Sequence, residues 1–189
     1  IASGRGPKFD AVSTYLRLLS EMMSHQSGVI CGEQINTWVG LLRDPAIVRT
    51  KVLSPHLGRV LTAYMNHIVK VNWDDIYEQE HPYSALIEES WDDDDDYNEW
   101  LGNMRSKASQ LFRAIANMEP EISVTIVHSK LRTMLNAHYN GEPRDRLNPV
   151  NNELTVKSTA CIQIEGATQP LDNILSGLPS WVLDNGSYD

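Results

Sequence analysis

The stretch YNEWLGNMRSKASQLFRAI, residues 97–115, decides the class of the fold. Its apolar residues Tyr97, Trp100, Leu101, Met104, Ala108, Leu111, Phe112 and Ile115 recur at steps of three and four, the spacing that lines one face of an α-helix. Arg105 and Arg113 fall on the opposite face. The stripe runs for about five turns, and a helix of that length cannot cover its own apolar face, so other elements must pack on it.

Working outward, the same period returns on both sides. Upstream, residues 9–23 place Phe9, Val12, Tyr15, Leu16, Leu19, Met22 and Met23 at helical spacing, and Gly28 follows as a stop. A second helix over 29–42 carries Ile35, Trp38, Val39 and Leu42 and ends at Asp44-Pro45. After a short turn over 47–52, Ser54 and Pro55 offer a cap and a first helical position for a third helix through Leu57, Val60, Leu61, Tyr64 and Ile68. Downstream, Glu119-Pro120 restarts a helix with Ile126, Val127, Leu131, Met134 and Leu135 inward and Gly141 as its terminator. A loop over 142–152 leads to a last helix over 154–175, kinked by Gly166 and Pro170, within which Ile162-Gln163-Ile164 could also be read as a strand.

Six amphipathic helices joined antiparallel, with no convincing strand, describe an all-α bundle or a helical repeat array. The spacing favours the array. Pairs begin near Phe9, Ser54 and Glu119, and removing the acidic stretch before Tyr97 brings the interval toward the about 40–47 residues of a HEAT unit. We expect a HEAT-repeat superhelical solenoid of about three antiparallel pairs, 9–42, 54–116 with an acidic loop over 72–94, and 119–175. The 189 residues, 41% apolar, suffice for one continuous core.

That acidic stretch holds the chain's distinctive charge. Residues 71–100 contain twelve Asp or Glu and no Lys or Arg, out of 25 acids and 16 bases in all. The remainder therefore has 13 acids against 16 bases, and the net charge of −9 comes from one segment. Five consecutive aspartates, Asp92, Asp93, Asp94, Asp95 and Asp96, run into the helix. Adjacent carboxylates in one solvated environment do not separate their pKa values as acid–base catalysis needs, and the run lacks the glycine turn of a calcium loop. Negative charge at a helix start is worth about 0.3–1 kcal/mol per residue, but one or two acids suffice for that. The excess points either to a solvated loop or to a surface for a basic partner. Trp73 and Trp91 flank the segment and are either partner contacts or the means by which the loop tucks against the array.

Other chemistry is scarce. No Ser-His-Asp set, phosphate loop or dinucleotide fingerprint is legible, the six histidines never adopt paired-ligand spacing, and an enzyme is not expected. Cys31 and Cys161 lack a CxxC context and are read as small apolar residues; neither metal nor cofactor is expected. No apolar run approaches the roughly 20 residues of a membrane span. The Asn185-Gly186-Ser187 sequon is read as chance. The chain opens on Ile1 with no legible leader, and we expect a fragment of a longer protein.

The succession FDAVSTYLRLLSEMMSHQS, INTWVGLLRDP, LSPHLGRVLTAYMNHIVKV and WDDDDDYNEWLGNMRSKASQLFRAIANMEPEIS resembles the interior of the exportin-5 karyopherins of the importin-β superfamily, from Phe9 to about His138. The resemblance implies a HEAT superhelix that shuttles between nucleus and cytoplasm, passes nuclear pore proteins, and exports structured RNA such as precursor microRNA, or protein cargo, with GTP-bound Ran. It makes Ran or a basic cargo the natural complement of Asp92 to Asp96. RNA would have to avoid those aspartates. In a HEAT array the second helix of each pair lines the concave surface, which directs Arg43, Arg105, Lys107, Arg113 and Lys157 inward as basic candidates, although exposed bases are more often solvated or paired within the chain. The rival is a HEAT scaffold of a cytoplasmic assembly without transport.

Overall fold

The computed structural model describes residues 7–77, 83–136, 148, 150–151, 153–155 and 157–184. Ten helices form among them: α1 (Pro7–Met22), α2 (Gly28–Arg43), α3 (Pro45–Arg49), α4 (Ser54–His67), α5 (Trp73–Tyr77), α6 (Ser84–Ser90), α7 (Asp94–Met118), α8 (Pro120–Asn136), α9 (Thr159–Gly177) and α10 (Ser180–Asp184). No strand occurs among the described residues. None of these helices is long and apolar enough to cross a membrane.

The packing is in two layers. Helices α1, α4 and α8 touch in that order along one layer, and α2, α7 and α9 along the other, while α1–α2, α4–α7 and α8–α9 join the layers. This is the all-α, HEAT-like solenoid the periodicity implied. Helix α7 is its spine, with its largest contacts on α9 and α2. Leu111, Phe112 and Ile115 of its apolar stripe are fully buried in one core with Trp38, Leu57, Leu61 and Tyr64. Burying each such large side chain contributes about 1.5–3 kcal/mol.

Three local features depart from the periodicity. The turn over 47–52 contains a helix, α3, because Asp44 does more than end α2: its Oδ1 accepts from Ala46 N at 2.8 Å, and Pro45 occupies the first position. Helix α4 starts at Ser54 with Leu53, fully buried, at the cap, and the Ser54 hydroxyl bonds nothing. The segment over 72–94 is not one loop. Helices α5 and α6 occupy much of it, each anchored by a single buried isoleucine, Ile76 and Ile87, too short for a periodic signal.

The last long helix begins later than expected. Ser158 caps it, its Oγ accepting from Cys161 N at 3.2 Å, and α9 then runs through Ile162, Gly166 and the internal Pro170. Gly28 opens α2 and does not follow a free helix end. Gly141, the Leu135 side chain and most of the loop over 142–152 lie outside the described residues and side chains.

Candidate functional site

Asp93 has extended backbone (φ −155°) and caps α7, its Oδ1 accepting from Asp96 N at 2.9 Å. Asp94, Asp95 and Asp96 fill the first helical turn, where the amide dipoles favour negative charge. Asp92, Asp93, Asp95 and Asp96 are exposed, and none of them has an ion-pair partner among the described residues. Asp94 is half-buried and has Lys70 Nζ at 3.9 Å, an ion pair too long for a hydrogen bond, which leaves its Oδ1 without a hydrogen-bond partner. The run is thus a ridge of mostly free carboxylates at a fixed helix start.

Aromatic packing fixes that start. Trp91 lies 4.6 Å from Trp100 and meets Tyr97 edge-on at 5.2 Å between ring centroids; Tyr97 in turn stacks on Trp100 at 6.0 Å. Trp73 sits 6.0 Å from Tyr97 and 5.8 Å from Tyr77. Tyr97 is buried and its hydroxyl accepts from Val71 N at 3.2 Å; burial pushes the phenol above its ordinary pKa, partly opposed by that hydrogen bond. Around these rings a second small core forms from Ile76, Ile87 and Leu101. Trp73 and Trp91 therefore tuck the acidic segment against the array. Trp100, half-buried, packs on both cores, because Gly28 and Gly32 leave room for its ring: a Cβ at Gly28 would stand 2.6 Å from Trp100 Cη2.

The five basic candidates separate. Arg43 on α2 donates to Gln110 Oε1 on α7 at 2.6 Å. Lys107 and Arg113 are exposed, three residues either side of Gln110, so they share one strip of α7 with it and with Arg43. Arg105 is committed inside the molecule, donating from Nε to Ile68 O at 2.9 Å and pairing through Nη1 with Glu165 at 2.6 Å. Lys157 is exposed beside Asn72, whose Nδ2 donates to its carbonyl at 2.8 Å. Arg43 thus meets α7 at Gln110, midway in sequence between Lys107 and Arg113, whereas Arg105 and Lys157 are engaged elsewhere.

Arg105 also begins a polar seam between α7 and α9. Gln169 Nε2 donates to Arg105 O and Ser109 Oγ at 2.9 and 3.1 Å, and Asn173 Nδ2 donates to Ser109 Oγ at 3.2 Å. Glu165, Gln169 and Asn173 stand four residues apart, on one stripe of α9.

Cys31 is fully buried, and burial pushes its thiol up to about 12. Tyr64 donates to the Cys31 carbonyl at 3.0 Å. No group of three His, Cys, Asp or Glu side chains that could hold a metal occurs among the described residues. Sequence periodicity gave no sign of a cavity of about 720 Å³ between the α1–α2 turn, α4, α8 and the aromatic rings. Lys130 of α8 reaches into it, half-buried, with Nζ donating to Asn66 Oδ1 at 3.0 Å.

Two layers of packed helices, with charged ridges and a cavity on the surface, define a helical-repeat protein. The Exportin-5 family model matches residues 5–186, and the chain belongs to that family of exportin-5-like karyopherins. The family comprises transport receptors of nuclear export, not enzymes. No curated protein matches the chain.

Proposed function

We propose that this chain forms part of a Ran-dependent export receptor that carries structured RNA, such as precursor microRNA, or protein cargo past nuclear pore proteins while shuttling between nucleus and cytoplasm. In this reading the pairs 9–42, 54–116 and 119–175 act as one block. The ridge from Asp92 to Asp96 contacts a basic protein surface, with GTP-bound Ran the leading partner. The strip of Arg43, Lys107 and Arg113 takes any RNA phosphate, away from the ridge that would repel it.

The observation that carries this reading is the presentation of the aspartates. Asp92, Asp95 and Asp96 are exposed and unpaired on a helix start that Trp91, Tyr97 and Trp100 hold in place. Such a ridge steers a cationic partner without first being ordered by it. The test replaces all five aspartates by asparagine and follows binding of Ran-GTP and cargo over a salt series. We expect slower association and a flatter salt dependence with helix content nearly unchanged. Unchanged on-rates and salt slopes would remove the ridge from the contact, and cargo binding indifferent to the nucleotide on Ran would replace the receptor by a scaffold.

A further inference from the structure

The cavity reverses the sign of the molecule. The chain has 25 acids against 16 bases, yet Arg59, Lys70 and Lys130 all line this cavity and Asp75 is the one acid among its described lining residues. Lys130 is the decisive group. Its side chain is half-buried, and the hydrogen bond of its ammonium is to the neutral amide of Asn66. Two of its three donors remain for a ligand. Burial accordingly holds its pKa below the ordinary 10.5. Lys70, across the cavity, reaches Asp94 only at 3.9 Å.

Part of the remaining wall is apolar, beside polar side chains such as Gln26, Asn66, His67 and Asn72. Ile126 stands one turn before Lys130 on α8, and Trp91 and Trp100 close the side toward α7. These rings are also the boundary with the ridge: the shallow cleft on their other side is lined by Asp92, Asp96 and Glu99. A cation-lined cavity of about 720 Å³ with aromatic and aliphatic walls falls within the range of ligand sites, roughly 300–1,000 Å³.

We propose that this cavity receives a short acidic peptide segment of a partner protein, a Glu or Asp carboxylate on Lys130 and Arg59 with a neighbouring apolar side chain against Trp91, Trp100 and Ile126. Inorganic phosphate would satisfy the cations and leave the apolar wall without a partner. A polynucleotide carries a charge at every phosphate and would bring several of them past Asp92 and Asp96. A peptide places one carboxylate inside and contributes apolar area as well. This proposal does not rest on the Ran contact proposed above.

The probe is a phage library of random dodecapeptides selected on the full chain. We expect recovered peptides to pair a Glu or Asp with a large apolar residue. For a synthetic copy of one, Lys130→Gln in the protein and Glu→Gln in the peptide should each weaken binding roughly tenfold. The two together should lose little more than either alone. Arg59→Gln, an exposed change on α4, gives a second reading should Lys130→Gln disturb the fold. Asparagine at all five ridge positions should leave peptide binding undiminished, which separates this site from the ridge. Recovery of no peptide, recovery without acidic enrichment, binding indifferent to both cavity variants, or displacement of the peptide by phosphate or single-stranded RNA at equal concentration would each overturn the proposal.

Discussion

Replacing Gly177 by alanine should destabilise the chain, whereas the same change at Gly40 or Gly102 should stabilise it. A Cβ at Gly177 would stand 2.6 Å from both the Cα and the carbonyl oxygen of Arg113, and 3.0 Å from its carbonyl carbon. Carbon atoms in good contact are about 3.5–4.0 Å apart, so the end of α9 must move off α7 by about 1 Å. The obstacle is backbone inside α7, near its C-terminal end, which has no rotamer to change. Overpacking of this kind costs about 1–3 kcal/mol. At Gly40 and Gly102 nothing lies within 4 Å of the added methyl, and the helix gains about 0.5–1 kcal/mol from the lower backbone entropy of alanine. The two kinds of variant should therefore differ by about 1.5–4 kcal/mol, which for a chain of this length separates melting temperatures by about 3 °C or more. Thermal and urea unfolding followed by circular dichroism measure it. Gly177→Ala melting with Gly40→Ala would mean that α9 does not approach α7 so closely, and the two-layer packing would need redrawing.

Three further outcomes follow from individual side chains. Asp93→Ala should cost about 1 kcal/mol by removing the acceptor for Asp96 N, while Asp93→Asn, which can still cap, should cost little; urea midpoints compare them. His67 and His56 are both held below the ordinary 6.5, chiefly by burial, and in the folded chain they bind fewer protons than in the unfolded chain just below that pH. Stability should thus be full above pH 6.5 and fall as the solution is acidified below it, and His67→Gln should flatten that fall in a pH series of thermal melts. Cys31, buried and with its thiol pushed up to about 12, should resist a thiol reagent until the chain unfolds, whereas the half-buried Cys161 should react first; mass mapping after brief labelling distinguishes them, and early modification of Cys31 would contradict its placement.

The long helices were legible because each contributes an apolar stripe of several turns, as Leu101, Met104, Ala108 and Leu111 do on α7. The start of α7 was legible too, since the aspartates suit a helix start and Asp93 supplies the cap. What periodicity could not reach is short or set by distant neighbours. Helices α5 and α6 have one buried isoleucine each, and a single apolar residue has no period. Whether Ile162 and Ile164 belonged to a strand or a helix was settled by the Ser158 cap and by the partners of α9 on α7. Among the basic residues, spacing placed Arg105 with Lys107 and Arg113, but Ile68 O and Glu165 claim its guanidinium from segments 37 and 60 residues away. The cavity was out of reach for the same reason: Arg59, Lys70 and Lys130 come from three separate elements.

The position of Trp100 explains how an acidic insert can sit in a solenoid without loosening it. Five adjacent carboxylates repel one another, and on a free loop they would spread the chain and spend its ordering entropy on any partner. Here the ridge leads directly into a helix whose second turn contributes Trp100 to both cores. On one side its ring lies over Gly28 and Gly32 of α2; on the other it meets Trp91, the residue that precedes Asp92. The charge at the surface is therefore tied through one ring to the packing of α2 on α7, and the same ring forms part of the cavity wall. Any ligand that displaced Trp100 from the cavity side would act on the seat of the ridge, so the two surfaces share a mechanical element although they have opposite charge.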